Sequence, residues 1–118
     1  MQYVCLVYLE QKTFDAMSPD EERAMQRANA DYDDQLRESG HLIDARPLQP
    51  TRAATTIRVR DGRMSTTDGP FAETKEHLGG FVLIEAADLN EAIGLAARSP
   101  MARYGSIEVR PVMELSRN

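Results

Sequence analysis

Residues 2–9 read QYVCLVYL, and nearly every position carries a β-branched, aromatic or aliphatic side chain. Alternate side chains of a strand point to opposite faces of a sheet. The two faces of this segment are Tyr3, Cys5, Val7 and Leu9 on one side and Val4, Leu6 and Tyr8 on the other. Because both faces are apolar, the segment predicts a central strand that is covered on both sides.

Residues 18–40 have the pattern of one long helix. Ser18 is a suitable N-cap, Pro19 fits the first turn, and Glu21 completes a capping box. Apolar residues recur every three or four positions and form one stripe, at Ala24, Met25, Ala28, Tyr32 and Leu36. Gly40 is a natural C′ residue, so the helix is predicted to end just before it.

Further short strands are predicted at residues 41–48, 55–60, 63–67, 77–86 and 106–115. Asp61-Gly62 supplies a two-residue hairpin turn between the second and third of them. Gly79-Gly80 predicts a bulge or a close backbone approach. Residues 68–76 are interpreted as an ordered loop because turn-forming residues are followed by charged ones.

A second helix is predicted over residues 89–98, with Asp88 and Glu91 forming a capping box and Pro100 ending the helix. The element order is then β-α-β, a hairpin, and β-α-β. Two helices on one face of an antiparallel sheet make the ferredoxin-like α+β plan, here with an inserted β-hairpin. A length of 118 residues suits a single domain spanning residues 1–118.

The helix-free face of the first strand needs a cover of its own. Burying Val4, Leu6 and Tyr8 would contribute about 1.5–3 kcal/mol for each large apolar side chain. A second copy of the chain packed sheet against sheet is the simplest cover, and it predicts a homodimer. In the alternative, the inserted hairpin and the last strand curl over this face within one chain.

Charge and composition argue against several classes of partner. Acidic residues number 19 against 14 basic ones, a formal net charge of −5, so we expect no nucleic-acid partner. No apolar run approaches the roughly 20 residues of a membrane span, and the first residues predict no secretory leader. The single cysteine, Cys5, fits a buried position in a reducing compartment. We therefore expect a cytoplasmic protein without a membrane partner.

Familiar cofactor motifs are missing from the sequence. It contains no HExxH, CxxC, GxGxxG or Walker pattern, which excludes the corresponding metalloprotease, zinc-ribbon, dinucleotide and P-loop classes. His41 and His77 lie far apart, and neither has a second ligand at helical spacing. We therefore expect no metal and no cofactor.

Residues 67–76, TDGPFAETKE, predict a rigid turn. Pro70 fixes its own φ, and Gly69 permits a conformation closed to other residues. Asp68 then has two possible roles. Either its carboxylate projects into a cleft as a base or hydrogen-bond acceptor, or it caps the turn while Phe71 fills the core.

Three segments carry a family resemblance: TDGPFAETKE at 67–76, LGGF at 78–81 and GSIEVRPVME at 105–114. The chain resembles the DGPF-domain branch of the YCII-related proteins over nearly its whole length. The resemblance implies a dimeric ferredoxin-like fold of the α/β-barrel type, related to small barrels such as muconolactone isomerase. It also implies bacterial origin and an unassigned activity. Genes of such proteins often lie beside those of extracytoplasmic-function sigma factors, which implies an alternative role as a non-catalytic ligand-sensing or regulatory module.

The related YciI branch is thought to use a catalytic pair of residues that this sequence lacks. That pair is a histidine on the first helix and an aspartate before a proline near the end of the second. Here residues 18–39 contain no histidine, and Ser99 occupies the position before Pro100. The histidine–aspartate mechanism is therefore not carried over.

The candidate site is a small-molecule pocket formed by Tyr8, Asp68, Gly69, Pro70 and Phe71. His77 begins a strand just after the loop, and a His–carboxylate pair with Asp68 would transfer protons near neutral pH. The alternative is an exposed histidine at a strand end. We expect either acid–base catalysis on an unidentified small molecule or binding without turnover.

Overall fold

The computed structural model describes residues 1–115. The strands are β1 (Gln2–Leu9), β2 (Leu42–Pro47), β3 (Thr55–Arg60), β4 (Arg63–Asp68), β5 (His77–Glu85) and β6 (Ser106–Pro111). The helices are α1 (Gln11–Asp15), α2 (Pro19–Glu38), α3 (Leu89–Ala97) and α4 (Met101–Tyr104). A single 3₁₀ turn covers Thr51–Ala53.

Four of the strands form one antiparallel sheet in the order β2-β5-β1-β6, and β3 and β4 form a separate two-stranded ribbon. β1 is central, as its two apolar faces predict, and is hydrogen-bonded to β5 on one edge and β6 on the other. With the ribbon set aside, the strand order is that of a ferredoxin-like sheet. The predicted α+β fold with an inserted hairpin is confirmed.

α2 and α3 pack on the same face of this sheet. Leu36 of α2 and Ile84 of β5 have no exposed surface, and they belong to one core cluster with Tyr3, Cys5, Tyr32, Ala86, Ala92, Leu95 and Ala96. The Tyr32 hydroxyl donates to the Leu95 carbonyl oxygen at 2.6 Å, which ties α2 to α3. Full burial of such side chains supplies most of the stabilisation of a small domain.

The predicted capping and turn residues have the expected geometry at three places. Ser18 and Glu21 form the complete capping box of α2, and Gly40 follows the helix with φ of 80°. Asp61 and Gly62 form the hairpin turn with φ of 52° and 72°, as a type I′ turn requires. The second box differs, because the Glu91 carboxylate accepts from the Ala87 amide and not from the Asp88 amide.

Two short helices and one strand end differ from the prediction. α1 has five residues and no side-chain cap, so it leaves no periodic signal in the sequence. Pro100 does not simply end a helix; it precedes α4, because proline suits the start of a helix as well as the residues after one. β6 ends at Pro111 and not at residue 115, because its partner strand β1 begins at Gln2, whose carbonyl oxygen accepts the last bond, from the Val112 amide.

The predicted irregularity at Gly79-Gly80 is confirmed. The pairing of β1 with β5 slips between Val7 and Tyr8, so that Gly79 is the extra residue of a bulge. A Cβ atom at Gly79 would lie 2.5 Å from Leu9 Cδ1, and one at Gly80 would lie 2.7 Å from the Arg46 carbonyl oxygen. Because the neighbour of Gly80 is backbone, only a residue without a side chain allows β5 and β2 to approach this closely there.

The helix-free face of the sheet carries an apolar strip. The strip consists of the half-buried residues Val4, Leu6, Phe81 and Leu83, which are direct neighbours across β1 and β5. Charged residues of the outer strands border it, Asp44 and Arg46 on β2 and Glu108 and Arg110 on β6. The alternative in which the hairpin and last strand curl over this face is wrong, since β3 and β4 form their own sheet and β6 lies within the main one.

Gly105 offers a test of how closely α4 approaches β1. An added Cβ atom would lie 2.0 Å from the Tyr8 carbonyl oxygen, so Gly105→Ala should destabilise the fold by about 1–3 kcal/mol through overpacking. Gly94 on α3 has open space around it, and Gly94→Ala should stabilise by about 0.5–1 kcal/mol because alanine is the better helix former. Urea unfolding monitored by circular dichroism measures both, and equal midpoints for the two variants would contradict this packing.

Candidate functional site

A cleft of about 730 Å³ opens between α2 and the helix-covered face of the sheet. Its floor includes Val7, Ala45, Gly80 and Val82, which point to the same side of the sheet. Phe14 of α1 and the segment 47–51 form its rim. The volume falls within the roughly 300–1,000 Å³ of small-molecule sites in proteins.

The helical period of α2 determines which of its side chains face the cleft. These residues recur every three or four positions, at Glu22, Met25, Gln26, Asn29, Ala30 and Asp33. Met25 is buried, whereas Asn29 and Asp33 are half-buried. Opposite this face, the glycine pair on β5 leaves part of the floor without side chains. The cleft is therefore built by one helix face above a glycine-containing part of the sheet.

Asp33 is a half-buried acidic group in the α2 wall of the cleft. Burial raises the pKa of the Asp33 carboxyl above its ordinary value, the Arg37 guanidinium partly offsets this shift, and Asp34 adds to it. Arg37 directs its guanidinium to the Asp34 carboxylate at 2.8 Å. A carboxyl whose charged form is disfavoured in a cleft is suited to donate, accept or exchange a proton.

Other polar groups of the cleft are held by the protein itself. Ser99 is buried, and its Oγ accepts a hydrogen bond from the Met101 amide at 3.2 Å. The Asn29 side-chain amide donates to Met101 Sδ at 3.2 Å. Burial raises the pKa of Tyr32 to about 12, so its phenol stays protonated and keeps its bond to α3. These contacts join α2 to the α3–α4 segment and leave Asp33 as the carboxyl of the inner wall.

Cys5 is not a reactive group in this structure. Its side chain belongs to the buried core, and burial raises the pKa of the thiol to about 11. Since the thiolate is the nucleophilic form of cysteine, the side chain is a small buried hydrophobe, as the sequence predicts.

The loop that contains Asp68 lies at the base of the ribbon. Asp68 is exposed at the end of β4. The Gly69 amide donates to the Ala54 carbonyl oxygen at 2.7 Å, and the Thr56 hydroxyl donates to the Gly69 carbonyl oxygen at 2.9 Å. Phe71 is 77% exposed, so the alternative in which it fills the core is wrong. The backbone of the loop, and not the Asp68 carboxylate, makes these hydrogen bonds.

The predicted site residues are therefore divided between different surfaces. His77 lines the cleft, and its Nδ1 lies 3.5 Å from the Thr74 hydroxyl. Tyr8 lies on the helix-free face, and its hydroxyl donates to Glu108 at 3.4 Å. Within residues 1–115, the lining of the cleft contains His77 but neither Tyr8 nor the loop residues Asp68, Gly69, Pro70 and Phe71. A ligand role for Asp68 and its loop stays a prediction.

Asp33 is the site residue that the sequence reasoning missed. A signal was present, because Asp33 follows Asn29 by four positions and Met25 by eight, which places all three on one helix face. Two more aspartates, Asp31 and Asp34, lie beside Asp33, so the sequence does not single out which of the three faces the sheet. Only the position of the sheet under α2 distinguishes the carboxyl that faces the cleft from those that face solvent.

His41 has a structural position at the opposite end of the sheet. Its Nδ1 lies 2.8 Å from the Glu85 carbonyl oxygen and 3.8 Å from the Glu91 carboxylate. It therefore joins the start of β2 to the end of β5. Across residues 1–115, no group of three or more His, Cys, Asp or Glu side chains has the arrangement of a metal site, and no helix is long and apolar enough to cross a membrane.

Comparison with known proteins supports the family resemblance. The family model described as the YCII-related domain matches residues 1–116. The chain is also 40% identical over 114 residues to the uncharacterized protein R00369 of Rhizobium meliloti (strain 1021). The aligned region covers 95% of this chain and 92% of the relative. The finer assignment to the DGPF branch stays a prediction. Because the family model covers almost the whole chain, the protein belongs to the YCII-related family.

Proposed function

We propose that the protein binds a small, largely apolar molecule in the cleft under α2, with Asp33 as the group that recognises its polar end. The observation that carries this proposal is a half-buried carboxyl, with a raised pKa, in the wall of a cleft of about 730 Å³. Small-molecule sites commonly combine an apolar lining with a few polar groups that fix orientation. This cleft has that composition.

The charged residues of the cleft define the chemistry of the ligand. Asp33 and Glu22 lie on the α2 side, and His77 comes from the sheet side. The Arg46 side chain lies on the helix-free face, where it pairs with Asp44. A carboxyl on the inner wall favours a ligand that presents a hydrogen-bond donor or a cation, such as an amine. Phe14, Met25 and Val82 supply the apolar contacts that hold the rest of the molecule.

Acid–base catalysis is a second function that one observation favours. Because burial raises the pKa of the Asp33 carboxyl, the carboxyl is better suited to accept and return a proton than an ordinary aspartate. The sensing alternative uses the same cleft without turnover. Formation of product from a bound ligand, with loss of product formation in Asp33→Asn, separates catalysis from sensing.

The proposal includes a second copy of the chain on the helix-free face of the sheet. Val4, Leu6, Phe81 and Leu83 form a contiguous strip there, and oppositely charged residues border it on both sides. An isologous dimer would bury this strip against itself and bring each charged border near residues of both signs.

The stability of Asp33→Asn should depend on pH in a defined direction. A raised pKa in the folded state means that the carboxyl favours folding when protonated, and that this contribution is lost as pH rises through the folded-state pKa. Replacing the charge by a neutral amide should therefore raise the Tm at pH 7 by about 2 °C. At pH 3, where the carboxyl is protonated in both states, the Tm difference should vanish.

Asp34→Asn is the matched control, because Asp34 is the exposed neighbour and pairs with Arg37. It removes a surface ion pair of small energy and relieves only the smaller, repulsive cause of the raised pKa of Asp33, so it should raise the Tm at pH 7 by less than Asp33→Asn does. Differential scanning calorimetry at both pH values measures all three proteins. A lower Tm for Asp33→Asn than for the wild type at pH 7 would contradict the burial of this charge.

Ligand binding is testable with small aromatic probes of opposite charge. In NMR titrations of ¹⁵N-labelled protein, benzylamine should shift the amides of Asp33, Gly80 and Val82, and benzoate should bind at least tenfold more weakly. Ala45 lies on the cleft floor, so Ala45→Phe should abolish the shifts. Ala53 is exposed and outside the lining, so Ala53→Phe should leave them unchanged.

The same titration separates the cleft from the Asp68 loop. If the cleft is the site, Asp68→Ala binds benzylamine as the wild type does and Asp33→Asn binds it at least tenfold more weakly. The reverse result would move the site to the loop. Shifts confined to residues outside the cleft would refute the proposed function.

A further inference from the structure

β3, β4 and the turn between them form an element, here named the arm (residues 55–68), that stands apart from the rest of the molecule. Its two strands pair with each other along their whole length, from Thr55 opposite Asp68 to Arg60 opposite Arg63. They form no ladder with the four-stranded sheet. A two-stranded ribbon is at best marginally stable in water by itself, so the arm needs a surface to pack against.

The register gives the arm one apolar and one cationic face. Residues opposite each other on paired strands share a face, which puts Ile57, Val59 and Met64 on the apolar face and Arg58, Arg60 and Arg63 on the other. Ile57, Val59 and Met64 are 62%, 58% and 69% exposed. Apolar side chains of this size are seldom left uncovered as a group.

The surface area of the chain points to a large missing contact. The chain exposes 8642 Å², about a third more than the roughly 6,400 Å² of a compact monomer of 13.2 kDa. Its radius of gyration is 16.5 Å, against about 13.5 Å for a compact domain of this length. The excess area is of the size that one partner contributes to an obligate dimer interface, which totals about 2,000–5,000 Å².

The charge distribution favours a second copy of this chain as the partner. The arm carries three arginines and two aspartates, a net charge of +1. Since the net charge of the whole chain is −5, the rest of the chain has a net charge of −6. A second copy therefore offers an acidic surface to the row of arginines at the rim of the contact. A nucleic acid would engage the arginines and leave Ile57, Val59 and Met64 exposed.

We propose that the arm is a dimer clasp, which docks through Ile57, Val59 and Met64 onto a second copy of the chain. The proposal rests on the dimer of the proposed function and adds a second contact, separate from the sheet strip. It also explains why the arm is stable without pairing to the four-stranded sheet, because the partner copy supplies the surface against which the arm packs.

Two matched variants test the clasp. Val59→Asp and Ser65→Asp each add one negative charge to an exposed position of the arm, on the apolar and the cationic face respectively. In sedimentation velocity with the full-length chain, Val59→Asp should raise the dimer dissociation constant at least tenfold. Ser65→Asp should change it by less than twofold. Circular dichroism should show the same secondary structure of the core in both variants, because the arm is not part of the main sheet.

A third variant, which removes the arm, controls for a local effect of the charge that Val59→Asp introduces. Residues 56–67 are replaced by a short glycine-asparagine linker, since Ala54 and Gly69 are already joined by a hydrogen bond of 2.7 Å. This variant should dissociate at least as readily as Val59→Asp. A dimeric wild type with equal dissociation constants in all variants would overturn the clasp and leave the sheet dimer standing. A monomeric wild type would overturn both, and its binding to a DNA duplex would assign the arm to nucleic acid.

Discussion

The rest of the structure depends on the position of β1 in the middle of the four-stranded sheet. Both of its edges are hydrogen-bonded, to β5 and β6, and both of its faces carry apolar side chains. α2 and α3 cover the face of Tyr3, Cys5 and Val7. The other face, with Val4 and Leu6, retains a strip that the described part of the chain leaves half-exposed. The proposed dimer would cover this strip with a third layer.

The fold was predictable where local chemistry dictates it. The capping box of Ser18 and Glu21 and the turn of Asp61 and Gly62 depend on residues within three positions of each other. The Gly79-Gly80 bulge was also predictable, because glycine in a strand often marks a bulge or a close backbone approach. α1 and α4 were not predicted, since helices of four or five residues are too short to show a period and depend on tertiary contacts.

The site was less predictable than the fold because its residues come together only through packing. The cleft combines α2, the segment after β2 and the start of β5, which are separated by tens of residues. The sequence drew attention to the conspicuous Asp68 loop, whereas the cleft contains Asp33, one of three aspartates within four positions of an acidic helix. His77 was identified for its nearness to the loop and lies instead on the cleft side of β5.

Ser99 is the position at which this chain departs from the pair of residues attributed to the YciI branch. The catalytic pair attributed to the YciI branch is absent, and Ser99 stands where its aspartate is expected. Ser99 nevertheless lines the same cleft as Asp33. The carboxyl of this cleft is supplied by α2.

The central claim is that a single chain is incomplete on the helix-free side of β1. Hydroxyl-radical footprinting read by mass spectrometry measures the exposure of these side chains directly. The account predicts that Leu6, Phe81 and Leu83 are labelled several-fold less at micromolar concentration than at dilutions that separate two copies, while the exposed Met113 is labelled equally in both. Labelling of the three strip residues that does not change with concentration would contradict it.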